Sequence, residues 1–186
     1  VQESMKDIYA TRRGSLGYLI ARPDIPPGIH ADGYVLYRQF LGAELTAKLA
    51  VSRDVPPRAL RVMEPRTNAV RSALRVHEAP PFSNACAAVW AEAERILGGP
   101  AYVHQSRINF KQAGSGSGWS WHSDFETWHA QDGMPLPMCV TAMIPLEANG
   151  ADNGPLVVVP RSHVWYWSSP AGEERSAEEN FADQKE

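Results

Sequence analysis

The sequence predicts one mainly β domain with flanking helices, and three observations carry that expectation. Fifteen prolines and fourteen glycines in 186 residues interrupt the chain too often for long helices. Residues 101–111 alternate with the period of two that a strand imposes, placing Tyr102, His104, Ser106, Ile108 and Phe110 on one side and Gln105, Arg107, Asn109 and Lys111 on the other. Two apolar runs, residues 138–146 and 156–159, flank the turn-forming segment Asn149-Gly150-Ala151-Asp152-Asn153-Gly154-Pro155 and predict a buried hairpin.

The whole-chain quantities narrow the function classes. A chain of 186 residues suits a single domain with a real core and no need for disulfides. With 21% charged residues and a net charge of -3, it carries no electrostatic footprint for nucleic acid or an anionic membrane. Its longest apolar run falls far short of the roughly 20 residues that span a bilayer, and the N-terminus shows no signal-peptide core, so a cytoplasmic chain is expected. Cys86 and Cys139 have neither a metal-ligand spacing nor a disulfide pattern and read as buried thiols in a reducing compartment.

Taken in order, residues 1–30 mix arginine, glycine and proline around one short apolar patch and predict an irregular N-terminal arm. Residues 33–41 read as a strand and 44–52 as a helix, closed by Pro56-Pro57. Residues 60–78 predict short solvated strands or loops, which would leave Arg61, Arg66, Arg71 and Arg75 in water. Ser83 or Asn84 is the expected cap of a helix over 85–97, whose Val89, Ala93, Ile96 and Leu97 form an apolar stripe; Gly98-Gly99-Pro100 stops it. The polar face of the strand over 101–111 admits two explanations, plain exposure to water or the inside of a barrel that holds a polar ligand. Gly114-Ser115-Gly116-Ser117-Gly118 has linker composition and predicts a mobile hairpin loop. Gly133-Met134-Pro135 and Pro160-Arg161-Ser162-His163 are further breaks. The tail over 171–186 holds six acids against two bases and predicts a solvated helix or a disordered end. The expected organisation is an arm over 1–30, a domain over 31–170 and an acidic tail over 171–186.

The chemistry concentrates in Trp119-Ser120-Trp121-His122-Ser123-Asp124-Phe125-Glu126-Thr127-Trp128-His129. On a strand, His122 and Asp124 would point to the same side, so one imidazole and one carboxylate could reach a single metal ion. With one further His they would make the facial triad of non-heme Fe(II) oxygenases. Spacing alone is weak evidence, because His30-Ala31-Asp32 repeats it between Pro26-Pro27-Gly28 and Gly33, where a loop or helix cap is the better explanation. The second copy stands apart through its aromatics, its glycine-rich approach and the polar-faced strand before it.

Those residues carry a resemblance. His104-Gln105-Ser106-Arg107-Ile108-Asn109-Phe110-Lys111, the segment from Trp121 to His129 with Asp132-Gly133-Met134-Pro135, Asn153-Gly154-Pro155-Leu156 and Ser162-His163 closely resemble the ectoine hydroxylase family. That family lies within the Fe(II)- and 2-oxoglutarate-dependent dioxygenases of the phytanoyl-CoA hydroxylase type. Arg71-Ser72-Ala73-Leu74-Arg75-Val76-His77-Glu78 is similar to its upstream segment, and the likeness runs over residues 70–163. The resemblance implies a double-stranded β-helix (jelly roll, cupin-like) that lacks its C-terminal strands. It makes His122 and Asp124 the catalytic iron ligands. Lys111 would contact a 2-oxoglutarate carboxylate, with Asn109 and Trp121 beside that cosubstrate. Gln105, Thr127 and Trp128 would contact ectoine, Trp128 through its face toward the cationic ring.

The implied activity is hydroxylation of ectoine to 5-hydroxyectoine with Fe(II), 2-oxoglutarate and dioxygen. The alternative is a jelly-roll remnant that binds a small zwitterion or a partner chain without turnover; a zinc hydrolase ranks below both. The alternative is motivated by departures from the family. Its distal iron-binding His and its 2-oxoglutarate Arg lie beyond the end of this chain, 62 residues after Asp124. His163 falls in a turn where a structural role is expected. Trp121 stands where the family has a smaller aromatic, and Thr141-Ala142-Met143 stands where it has a serine-containing strand. A homodimer joined over residues 157–167 is expected if open sheet edges are left to pair.

Overall fold

A computed structural model describes residues 25–53, 59–114 and 118–164. In chain order the elements are α1 (Pro27–Ala31), α2 (Gly42–Val51), β1 (Leu60–Met63), β2 (Val70–Leu74), a 3-10 turn (Val76–Glu78), α3 (Phe82–Leu97), β3 (Arg107–Asn109), α4 (Asp124–Asp132) and a second 3-10 turn (Ser162–Val164). The three strands form one antiparallel sheet in the order β1-β2-β3. The mainly β expectation therefore becomes a mixed architecture, with more described residues in helices than in strands.

The central strand organises the core. In β2, Ala73 is fully buried and pairs with Arg61 on one side and Ile108 on the other. Ile108 points inward while its neighbours Arg107 and Asn109 point out, the alternation expected of a strand. Beneath these strands Leu49 from α2, Val76 from the 3-10 turn, and Phe82 and Ala85 from α3 close a single cluster. Ile144 and Leu146 pack against it from the later part of the chain.

Helix α3 starts three residues before the expected Ala85. Pro81 has no N–H to leave unpaired, and its carbonyl accepts from Asn84 and Ala85 at 3.1 and 3.2 Å, so the helix begins directly after it. At the other end Gly98 adopts φ 77° and donates to the Glu94 carbonyl at 2.8 Å, as the glycine stop predicts.

Other expectations are corrected. Residues 33–41 form turns and irregular chain instead of a strand; left-handed backbone at Gln39 (φ 57°) bends the chain into α2, and no strand pairs with the segment among the described residues. Only three residues of 101–111 are strand, because β2 offers β3 a ladder of three pairs. The hairpin over 138–146 and 156–159 contains no assigned strand, and Leu156 and Val157 are about 60% exposed. Its connecting turn is present, fixed by Asn153, whose side-chain oxygen accepts from Gly150 N–H at 2.9 Å. Arg71 is not solvated: its side chain is 20% exposed and faces the buried Glu64. His30-Ala31-Asp32 lies at the end of α1, as the cap explanation requires. Of the expected arm, residues 25–30 are described and Ile25 is buried. Residues 1–24, 54–58, 115–117 and 165–186, which include the Pro56-Pro57 break, the acidic tail, most of the expected hairpin loop and part of the expected dimer interface, lie outside the described residues. Among the described residues no helix is long and apolar enough to cross a membrane.

Candidate metal centre

His122 and Asp124 do not share a strand. Ser123 takes extended backbone (φ -103°, ψ 128°) and Asp124 is the first residue of α4. Asp124 and Glu126 in the first turn face the positive end of the helix dipole, which favours a start at this point. The Ser123-to-Glu126 spacing has the sequence form of a capping box, which sequence reasoning passed over, but Ser123 makes no side-chain capping hydrogen bond. Gly133 ends α4 in the left-handed conformation at φ 72°.

This loop-to-helix junction still brings the two side chains together. His122 Nε2 lies 3.5 Å from Asp124 Oδ1. The other ring nitrogen, Nδ1, donates to the Ser120 carbonyl at 2.7 Å, which fixes the plane of the ring and leaves Nε2 facing the carboxylate. Thr141 donates to Asp124 Oδ2 at 2.9 Å. Arg107, on the outward face of β3, places a guanidinium nitrogen 3.7 Å from Asp124 Oδ1.

These contacts set the charges. Asp124 raises the pKa of His122 as its hydrogen-bond partner and outweighs the opposing effect of burial. Reciprocally, His122 and then Thr141 and Arg107 hold the Asp124 carboxyl below its ordinary value against the cost of burial. The Cys139 thiol, half-buried near the same carboxylate, is pushed up to about 11 by burial first and by the Asp124 charge second. It is a neutral thiol at physiological pH.

The donor set fits part of an iron centre. Two ligands each about 2.1 Å from a metal and at right angles stand about 3 Å apart, close to the observed pair. The carbonyl behind Nδ1 and the hydroxyl behind Oδ2 are partners of the kind that orient metal ligands. Among the described residues no cluster of three or more His, Cys, Asp or Glu completes the set. His163 does not join it. That ring packs on Gly33, where a Cβ would collide with it, and the neighbouring Arg161 N–H donates to the Asp32 carbonyl at 2.8 Å.

The remaining expected site residues lie in the segment 105–111, at Trp121 and on α4. Asn109 accepts a hydrogen bond from Ser72 at 2.9 Å across the β2–β3 pair. Lys111 donates to the Gly154 carbonyl and holds its ammonium 5.5 Å from the Trp119 ring centre. Gln105, Trp121 and Thr127 are exposed. Trp128 is buried, and His104 meets its ring edge-on at 4.9 Å between centroids while bonding Asp132 at 3.0 Å. Sequence reasoning missed that Arg107 and Thr141 contact Asp124, that His104 packs on Trp128 and that Arg71 lies over the Trp119 ring. For Arg107 the signal was present, since it shares the odd-numbered face with Gln105, Asn109 and Lys111.

Residues 29–186 match the family model described as phytanoyl-CoA dioxygenase (PhyH). The chain is 43% identical over 142 residues to the ectoine dioxygenase of Halomonas elongata, covering 71% of this chain and 43% of that protein. It is 33% identical over 190 residues to the ectoine dioxygenase of Sphingopyxis alaskensis, covering 87% of this chain and 61% of that one. A crystal structure of EctD from S. alaskensis with 2-oxoglutarate and 5-hydroxyectoine is similar at a TM-score of 0.52 and 31% identity, over 62% of this chain and 46% of that chain. The chain thus spans about half the length of the curated relatives it matches.

Proposed function

The chain belongs to the phytanoyl-CoA dioxygenase (PhyH) family, and on that premise we propose that it hydroxylates ectoine to 5-hydroxyectoine. The reaction consumes dioxygen and 2-oxoglutarate and releases succinate and carbon dioxide. One observation carries the reading: His122 Nε2 and Asp124 Oδ1 already face each other at 3.5 Å, each with its other polar atom held by a neighbour. An iron(II) ion bound there, with 2-oxoglutarate, would supply the oxidising chemistry. The three-stranded sheet is read as part of a double-stranded β-helix.

The protein's own contribution is positioning. Ser120 holds the imidazole with Nε2 toward the metal position, and Thr141 and Arg107 keep Asp124 ionised. Lys111 offers an ammonium to a carboxylate of 2-oxoglutarate, with Asn109 and Trp121 alongside. Gln105, Thr127 and Trp128 hold ectoine; Thr127 and Trp128 reach it from α4, the helix that begins at Asp124, so substrate and metal ligand share one rigid element.

The test is incubation of the purified chain with Fe(II), ascorbate, 2-oxoglutarate and ectoine. Succinate formation that rises on adding ectoine, with 5-hydroxyectoine as the product, supports the reading. Succinate that ectoine does not stimulate overturns it. Iron retained stoichiometrically with no turnover would favour binding without catalysis.

A further inference from the structure

Residues 118–120, which lead to His122, belong to no helix or strand, and an imidazole that must be aimed needs a fixed backbone. The fixed point lies on β2. There the Arg71 carbonyl accepts from Phe110 N–H at 2.9 Å, so the residue's backbone is tied into the sheet. Its side chain is held by Glu64, a carboxylate 4% exposed, at 3.3 and 3.4 Å from one terminal nitrogen. The other terminal nitrogen donates to the Gly118 carbonyl at 2.9 Å. The guanidinium carbon lies 4.0 Å from the centre of the Trp119 ring. The next residue, Ser120, provides the carbonyl that fixes His122 Nδ1.

We propose that Arg71 is a positioning residue for His122, carrying the rigidity of the sheet through Gly118 and Trp119 to the Ser120 carbonyl. This rests on the reading of His122 and Asp124 as metal ligands. A planar guanidinium suits the task because its rigid fork bonds in two fixed directions while its plane lies on an aromatic face; an ammonium has no plane to stack. Burial of Glu64 ensures that the fork stays in place, since a buried carboxylate without its cation is costly.

Deleting the cation would remove the guanidinium from the buried Glu64 carboxylate and endanger folding, so the informative variants are Arg71→Lys, which keeps the charge, and Trp119→Leu, which keeps the Arg71–Glu64 pair. The first readout is the His122 tautomer in metal-free protein, by two-bond proton–nitrogen correlation at about pH 9, where a histidine is neutral. The parent should show the proton on Nδ1, and both variants a mixture of tautomers. The second readout is Co(II) affinity by absorption, expected to fall about tenfold, the lower end for losing a group that orients a ligand. Folded variants with the parental tautomer and parental Co(II) affinity would overturn the proposal. A parent that binds no Co(II) would overturn the metal reading instead, while the tautomer comparison would still judge Arg71.

Discussion

Thr141 donates a hydrogen bond to Asp124 Oδ2 at 2.9 Å, so one carboxylate oxygen is occupied and the other faces His122. The partner lies 17 residues further along the chain, outside α4, and this contact fixes the carboxylate's rotation about the helix start. Thr141→Val keeps the side-chain shape and removes the donor. Metal affinity should fall by roughly 10- to 100-fold, the range for losing a partner that orients a ligand. Thr141→Ser should restore most of it. Co(II) titration of the two variants checks this, and equal affinities for parent and Thr141→Val would refute it.

The His122–Asp124 pair should give protein stability and metal affinity opposite pH dependences. The folded pKa of His122 is raised above 6.5, chiefly by Asp124, so its contribution to stability is complete below 6.5 and fades as pH rises through the folded value. That of Asp124 is lowered from 3.8, so its contribution is present above 3.8 and is lost as pH falls through the folded value. In metal-free protein the pair therefore stabilises most between those limits. A metal needs the neutral imidazole, so its affinity should climb with pH until His122 has lost its proton. Melting curves of metal-free parent and His122→Gln from pH about 4 to 9, beside Co(II) titrations over the same range, would separate the two trends. Stability and affinity that rise together would contradict this assignment.

The sequence conveyed the local contacts better than the long-range ones. The helix over α3 was legible because its apolar stripe and Gly98 act within a few residues. The in-out alternation of Arg107, Ile108 and Asn109 was legible for the same reason. The length of β3 was not, since a strand extends only as far as its partner does, and β2 ends the ladder at three pairs. The run over 138–146 shows the same limit: apolar residues suggest a strand, but backbone groups form one only when a neighbouring chain accepts them. His122 and Asp124 were found for a geometric reason that does not hold, a shared strand face. The junction with α4 brings them together instead, and the signal for it was the serine three residues before Glu126. Arg71 was read as solvated because nothing in its local sequence reveals Glu64 folded back beside it.

The core beneath the sheet is small enough for one side chain to matter. Leu49, 1% exposed, brings α2 into the cluster formed with Ala73, Val76, Phe82, Ala85 and Ile108. Leu49→Ala should cost about 2 to 5 kcal/mol, the transfer term plus a cavity that rigid neighbours cannot close. Urea denaturation should show a lower midpoint with an unchanged slope. A loss below about 1 kcal/mol would mean that α2 repacks freely and is not fixed by this contact.

Lys111 tests whether the polar face over 101–111 serves a ligand or only meets water. Its side chain is exposed, so Lys111→Ala should leave the fold intact. If the ammonium pairs with a carboxylate of 2-oxoglutarate, the substitution should weaken binding by about 1.5 to 3 kcal/mol, the range for a charged hydrogen bond. The free protein already uses that ammonium on the Gly154 carbonyl, so a ligand exchanges one acceptor for another and the loss should lie toward the lower figure. Added salt should shrink the difference between parent and variant, since an exposed pair is screened. Gly154 offers an independent handle. A Cβ there would sit 2.8 Å from Lys111 Cδ and 3.0 Å from Nζ on a left-handed backbone (φ 71°), so Gly154→Ala should both strain the turn and push the side chain aside, reproducing part of the loss. Calorimetric titration of 2-oxoglutarate into metal-loaded parent, Lys111→Ala and Gly154→Ala gives the comparison. Unchanged affinity in Lys111→Ala would confine this lysine to its contact with Gly154 and leave the carboxylate of the cosubstrate to another group.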